Sequence, residues 1–211
     1  MTTDFGSVNL VVFIVALLFS VGFHEAMHAF TSHWLGDTTA KDLGRLTLNP
    51  LKHLDIYTSI LLPVVLVLLG LPPFFIAKPV PFNPNRVKYE EFGVALIGLA
   101  GPLTNFFLAL IATLLLRLVG PTAGSGVINA FETFIQINVL LFVFNMIPFP
   151  PLDGSRLLYA FAPEPLQKVM YTIESGGFIT IIIFIFLLFP VLGPAVIHVD
   201  NSVLHFLTNL L

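Results

Sequence analysis

The sequence predicts an all-α polytopic membrane protein with about four full transmembrane helices, a re-entrant or partial helix, and short membrane-associated strands. Two observations carry this. Of 211 residues, 56% are hydrophobic and only 10% charged, with a mean hydropathy of +0.95, whereas a typical soluble domain is about a quarter charged. Several stretches free of Asp, Glu, Lys and Arg also reach the roughly 20 residues that a helix needs to cross a bilayer core about 30 Å thick. The same figures exclude a disordered chain, a basic nucleic-acid-binding face and a disulfide-stapled secreted domain, because 9 Lys+Arg stand against 12 Asp+Glu and Cys is absent.

The first span is expected over about 8–35, where the charge-free run Phe5 to His24 continues past Glu25 to Leu35. Asp4 and the lack of a basic residue before the apolar run argue against a cleaved signal peptide, so this segment is expected in the mature protein. Residues 44–84 form an irregular membrane-embedded region. Within it Ile56 to Ala77 is apolar but interrupted by Pro63, Gly70, Pro72 and Pro73, and it is expected to be re-entrant or partial rather than a full crossing. Charge supports this. If it does not cross, Lys41, Arg45, Lys52, Lys78, Arg86, Lys88, Arg156 and Lys168 share the inner side and only Arg117 lies outside. If it crosses, the basic residues divide five to four and the bias vanishes. Gly44 to Leu48 and Phe75 to Phe82 read as short strands, each followed by an Asn-Pro turn signal; Pro79 and Pro81 limit the second to an edge strand or part of a bulged loop, and the two runs are candidates either to pair with an unwound peptide or to pack an internal loop. The remaining spans are expected at about 92–117, 131–149 and 175–198. Residues 1–211 then make a single membrane-embedded domain.

His24-Glu25-Ala26-Met27-His28 lies toward the inner end of the first span. Histidines at i and i+4 project from one helix face, close enough to share one ion, and the Glu between them can reach a metal-bound water. Three ionisable groups in five residues of an apolar helix are hard to retain without a metal and water; the alternative is a pair of interfacial histidines beside Trp34. A catalytic zinc usually takes a third protein ligand. The remaining candidates are His33, His53, His198, His205 and the aspartates; His33 faces elsewhere on the helix, and His198 and His205 fall at the other membrane side. Asp153 is the better candidate, because it follows a helix-breaking run, Pro148-Phe149-Pro150-Pro151-Leu152. Its alternative role is to cap the helix Ser155 to Phe161. With one span between them, the segments ending near His28 and Asp153 run in the same direction, which brings all three residues to the inner face.

These motifs resemble the site-2 proteases, the intramembrane zinc metalloproteases, and especially their compact prokaryotic type without PDZ or CBS domain. The matching stretches are Phe23 to His28, Gly44 to His53, Ala77 to Pro84, Ala100 to Asn105, and Asn145 to Gly154. The resemblance implies one Zn2+ per chain held by His24, His28 and Asp153, Glu25 as general base, and Asn145 as a polar group close to the scissile bond. The residues alone leave Asn145 equally suited to an interhelical hydrogen bond, and Asn105 suited to close helix packing beside Gly98 and Gly101. The expected reaction is hydrolysis of peptide bonds within or near the transmembrane segment of single-span membrane proteins, from a site facing the cytoplasm in a prokaryotic cell membrane. Competing readings are a membrane metal transporter, which would group ligands near the midplane, and a catalytically silent relative, against which the intact Glu25 argues.

Overall fold

A computed structural model describes residues 10–68 and 77–209. Among these, four helices are long and apolar enough to cross a membrane: Leu10–Trp34, Glu90–Thr122, Ser125–Asn145 and Ile179–Thr208. In chain order the helices are α1 (Leu10–Trp34), α2 (Thr39–Asp42), α3 (Leu62–Leu68), α4 (Glu90–Val119), α5 (Ser125–Asn145), α6 (Gly154–Phe161), α7 (Glu164–Ser175), α8 (Phe178–Ile183) and α9 (Phe189–Thr208).

The centre of the molecule is α1 packed against α4 and α5, with α9 against the outer side of α5. Polarity is inverted relative to a soluble bundle. On α1 the inward residues are small or polar, including Ala16, Ser20, Gly22, His24, Glu25, His28 and Ser32, while Val11, Ile14, Val15 and Phe19 face outward. Lipid offers large apolar side chains no reason to turn inward, so packing is left to small residues and hydrogen-bonding polar ones. On α4 the inward face is likewise Gly93, Gly98, Gly101, Asn105, Ala109, Ala112 and Thr113. A purely apolar core forms further along, from Ala109, Ala112, Leu116, Ile135, Val139 and Val143.

Helix ends depart from the expected spans for local reasons. α5 begins at Ser125, ahead of residue 131, because Glu132 and its polar neighbours limit a charge-free run but not a helix. It stops at Asn145 rather than 149, since Pro148 follows and disfavours helical backbone before it. The last span does not start at Ser175. Gly177 at φ 54° separates α7 from α8, a wide π-type turn over Phe184–Leu188 precedes Pro190, and α9 runs on to Thr208. Such a turn accommodates a proline that cannot supply its helical N–H.

Between α1 and α4, Asp55 caps a wide turn, Ile56–Leu61, by accepting from the Tyr57 and Thr58 N–H groups, and α3 continues it to Leu68. Together these span about 20 Å at 1.5 Å per residue, short of a crossing within the described residues; 69–76 lie outside them.

The strand expectation fails among the described residues. Gly44, at φ 67°, closes a tight turn after α2 in which the Arg45 N–H bonds the Ala40 carbonyl, so 44–48 curls instead of extending. Phe75 and Ile76 lie outside the described residues. In 77–82, Pro79 and Pro81 have no N–H to offer, and those of Lys78 and Val80 are taken by the His53 carbonyl and the Glu25 carboxylate. No ladder can form from what remains.

Candidate metal centre

Residues 20, 24, 28 and 32 of α1 are four apart and stack on one face, which places His24 and His28 side by side against α4 and α5. Their Nε2 atoms are 3.1 Å apart. Asp153 Oδ2 lies 3.0 Å from His24 Nε2 and 3.3 Å from His28 Nε2. The three expected ligands are thus brought together from residues more than a hundred positions apart.

Asp153 arrives by a folded-back turn. After α5, the Phe149 N–H bonds the Ile147 carbonyl and the Leu152 N–H bonds that of Phe149, with a cis peptide between Pro150 and Pro151. Gly154 is pressed on the start of this turn, where an added Cβ would sit 2.5 Å from the Met146 carbonyl carbon. Asp153 does occupy the cap position of α6, but its side chain makes no capping hydrogen bond; the carboxylate is turned to the histidines. The capping alternative is therefore excluded.

The second nitrogen of each imidazole is occupied. His28 Nδ1 is 2.7 Å from the Ile97 carbonyl, which can only accept. His24 Nδ1 is 2.6 Å from Asn105 Oδ1. Both rings donate from Nδ1, so in the neutral imidazoles both Nε2 atoms carry lone pairs. Two imidazole lone pairs and a carboxylate oxygen converge with no proton to separate them, an arrangement that a shared cation relieves. Bonds of about 2.0–2.1 Å in a tetrahedral set place ligand atoms about 3.3 Å apart, close to the separations found. The donor set of two nitrogens and one oxygen fits zinc.

Space for this centre is cleared by glycine. A Cβ on Gly101 of α4 would lie 2.7 Å from both Cε1 and Nε2 of His24, and closer still to His28 Nε2. The same residue in any other form would fill the metal position's back wall.

Glu25, next to His24, accepts at 3.1 Å from the Val80 N–H; its other oxygen takes no hydrogen bond among the described residues. Segment 77–83 is pinned on both sides of that contact. Arg45 Nη2 donates to the Lys78 carbonyl at 2.7 Å, and the Lys78 N–H donates to the His53 carbonyl at 3.0 Å. At the far end the Asn83 N–H donates to Asp37 Oδ2 at 2.8 Å. His53 is fully buried, donating from Nε2 to the Thr47 carbonyl and accepting at Nδ1 from Arg45. Burial pushes its imidazole below the ordinary value, which keeps it neutral. Burial works against the Asp37 charge, but hydrogen bonds from Thr39, Asn83 and Ser32 outweigh it and hold this carboxyl below the usual range.

A cavity of about 540 Å³ opens beside these groups. His24, Glu25, His28 and Asp153 form one wall, Val80 and Phe82 another, and Val21, Leu141, Phe144, Ile181 and Phe184 supply apolar surface. Asn145 also lines it, with its amide donating to the Leu141 carbonyl of its own helix at 2.9 Å rather than across helices. Arg156 is bound bidentately by Glu174 and lies over the rings of Phe82 and Tyr159.

Sequence reasoning missed Ser20, Asn105, Asn138, Arg45 and Glu174 as parts of this site, and His53, a candidate third ligand, instead supports segment 77–83. Asn105 was expected only to ease helix packing; the glycines beside it do that, and Asn105 holds a histidine. One signal was present: a polar residue within an otherwise apolar span needs a partner.

The profile of Peptidase family M50 matches residues 116–190, a range that includes Asn145 and Asp153. A Bacillus subtilis (strain 168) protein named "Putative zinc metalloprotease YwhC" is 37% identical over 177 residues, covering 81% of this chain and 78% of its own. The chain belongs to peptidase family M50, the site-2 protease family. Two further relatives carry the same kind of name. Rip2 of Mycolicibacterium smegmatis is 32% identical over 81% of this M50 chain and 64% of its own length, and MJ0611 of Methanocaldococcus jannaschii is 32% identical over 71% and 72%. No solved structure gives a significant match. Family M50 implies Zn2+, and the grouping of His24, His28 and Asp153 accommodates it.

Proposed function

We propose that this integral membrane protein hydrolyses peptide bonds within or near the transmembrane segment of single-span membrane proteins. His24, His28 and Asp153 hold the zinc, Glu25 is the general base, and the site faces the cytoplasm of a prokaryotic cell. The observation that carries this reading is the convergence of three ligand atoms beside a carboxylate held at one oxygen by the Val80 N–H, on the wall of a cavity large enough for several residues of unwound peptide. The orientation rests on charge, since eight of the nine basic residues fall on the side of the site if Ile56 to Ala77 does not cross.

When bound, zinc supplies Lewis-acid chemistry, polarising a carbonyl oxygen and lowering the pKa of water to about 7. Glu25 takes the proton from the attacking water and returns it to the leaving amine. The Val80 N–H fixes one of its oxygens, so the other is the one that moves the proton. Asn145 exchanges its bond to the Leu141 carbonyl for one to the substrate backbone or the developing oxyanion. The apolar wall from Val21 to Phe184 keeps lipid-soluble side chains of the substrate in place while its backbone is opened.

A transporter needs further ligands along a path. Past the Glu25 level, Ser20, Asn105 and Asn138 are all hydrogen-bonded to one another or to carbonyls, and Thr113 bonds its own helix, so this polar set has no free ligand to offer. The test is reconstitution in vesicles with a single-span substrate. Cleavage that a chelator stops and zinc restores, at a bond mapped by mass spectrometry to the membrane segment, supports the proposal. Zinc flux without cleavage overturns it.

A further inference from the structure

Ser20 of α1, Asn105 of α4 and Asn138 of α5 meet as three fully buried side chains behind His24. Their hydrogen bonds run one way. Asn138 Nδ2 donates to the Phe134 carbonyl at 2.8 Å and to Ser20 Oγ at 2.7 Å, while Ser20 Oγ donates to the Ala16 carbonyl. A carbonyl cannot donate, so the Asn138 amide cannot be flipped, and its Oδ1 must face Asn105. Asn105 Nδ2 donates to that oxygen at 2.8 Å and to the Ser20 carbonyl at 3.2 Å. The Asn105 amide is thereby fixed as well, with Oδ1 toward His24 Nδ1.

We infer that Asn105, locked by Asn138 and Ser20, is a positioning residue of the metal centre: it selects the His24 tautomer that leaves Nε2 bare and holds the ring toward His28 and Asp153. The selection originates in the Phe134, Ser20 and Ala16 carbonyls, because each side chain in turn has only one orientation that satisfies its neighbour. In hydrocarbon no water competes for these bonds, so a wrong tautomer leaves two acceptors facing each other and is excluded strongly. His28 needs no such relay, since the Ile97 carbonyl performs the same selection directly. The inference rests on the proposed role of His24 as a zinc ligand.

The test compares Asn105→Leu with Asn105→Asp. Both remove the Asn105 amide N–H groups; only the Asp variant keeps an acceptor for His24. Zinc affinity is measured on purified full-length protein by competition with a chelator, and the visible spectrum of the Co2+-loaded protein reports the ligand set. Asn105→Leu is expected to lower zinc affinity about ten- to a hundredfold, the usual cost of losing such a partner, and to shift the Co2+ spectrum. Asn105→Asp, which still accepts from His24 Nδ1 but gives up the N–H bonds to Asn138 Oδ1 and the Ser20 carbonyl, is expected to keep most of the affinity that Asn105→Leu loses. A role in packing alone predicts equal losses in the two, and that result, or undiminished affinity in Asn105→Leu, overturns the inference. Asn138→Leu, which does not touch His24 but frees the Asn105 amide to turn, is expected to weaken zinc binding by a smaller factor and decides the matter if Asn105→Leu does not fold. An unmodified chain that takes up no zinc overturns the proposed function itself, a result separate from either Asn105 outcome.

Discussion

Replacing Gly101 with alanine puts one methyl group against the two imidazoles. That methyl would lie 2.7 Å from His24 Nε2 and nearer to His28 Nε2, whereas ordinary contact begins at 3.4 Å. Relief requires α4 and α1 to separate, or the rings to move, by about 0.7 Å or more, while metal–ligand bonds tolerate about 0.2 Å. Separation of the helices also breaks the bonds from His24 to Asn105 and from His28 to the Ile97 carbonyl, and overpacking of this kind costs about 1–3 kcal/mol. The expected outcome is loss of stoichiometric zinc and of cleavage in protein that still folds. The assay is metal content by mass spectrometry, with Gly126→Ala as control: nothing lies within 4 Å of a Cβ there, so that change is expected to be neutral or to stabilise by about 0.5–1 kcal/mol. Full zinc occupancy in Gly101→Ala would falsify the close fit of α4 to the metal centre.

Arg45→Met removes the charge-assisted bond to the Lys78 carbonyl, worth about 1.5–3 kcal/mol, and loosens the segment that seats Glu25; cleavage should fall about tenfold or more with zinc content unchanged, and loss of zinc instead would place Arg45 in the metal centre itself. Arg156→Met strands Glu174; the pair is only partly exposed, at 23% and 27%, so a loss of about 1–2 kcal/mol is expected, and the double variant with Glu174→Met should be more stable than either single one in denaturation experiments. Asp37 has its carboxyl pKa lowered in the fold, so its contribution is present above the unfolded value of about 3.9 and is lost as pH falls through the lower folded value. The thermal midpoint of the unmodified protein should therefore drop below about pH 4, and Asp37→Asn should show a smaller acid-induced drop; identical acid profiles would count against the Asp37 anchor.

The grouping of His24, His28 and Asp153 was legible because its signals are local and costly. Two histidines and a glutamate in one apolar helix have few uses, and the prolines from 148 to 151 can only break a helix, which aims Asp153 somewhere particular. The four spans were equally legible, since hydropathy sums over twenty residues. What the sequence hid depends on chain segments meeting at a distance. Asn105 and Asn138 are 33 residues apart on two helices, and each alone looks like an isolated polar residue that merely eases packing. Arg45 stands in the sequence only as an inner-side charge and His53 only as a candidate ligand, and it is the folding back of their loop, with Pro50 seated on Gly22, that buries them. Arg156 stands in the sequence only as an inner-side charge, because nothing local announces Glu174 eighteen positions on. The strand reading failed because Pro79 and Pro81, which already limit the second run to an edge strand or a bulged loop, leave N–H groups at Lys78 and Val80 that His53 and Glu25 take, and because Gly44 takes a left-handed backbone that curls the first run.

The central claim is that Glu25 does the proton transfer at a zinc held by three other residues. Purified Glu25→Gln protein, assayed beside the unmodified chain for bound zinc and for cleavage of a single-span substrate, tests it most directly. The account predicts one zinc per chain in both and cleavage only in the unmodified protein. Cleavage by Glu25→Gln at an undiminished rate would contradict it.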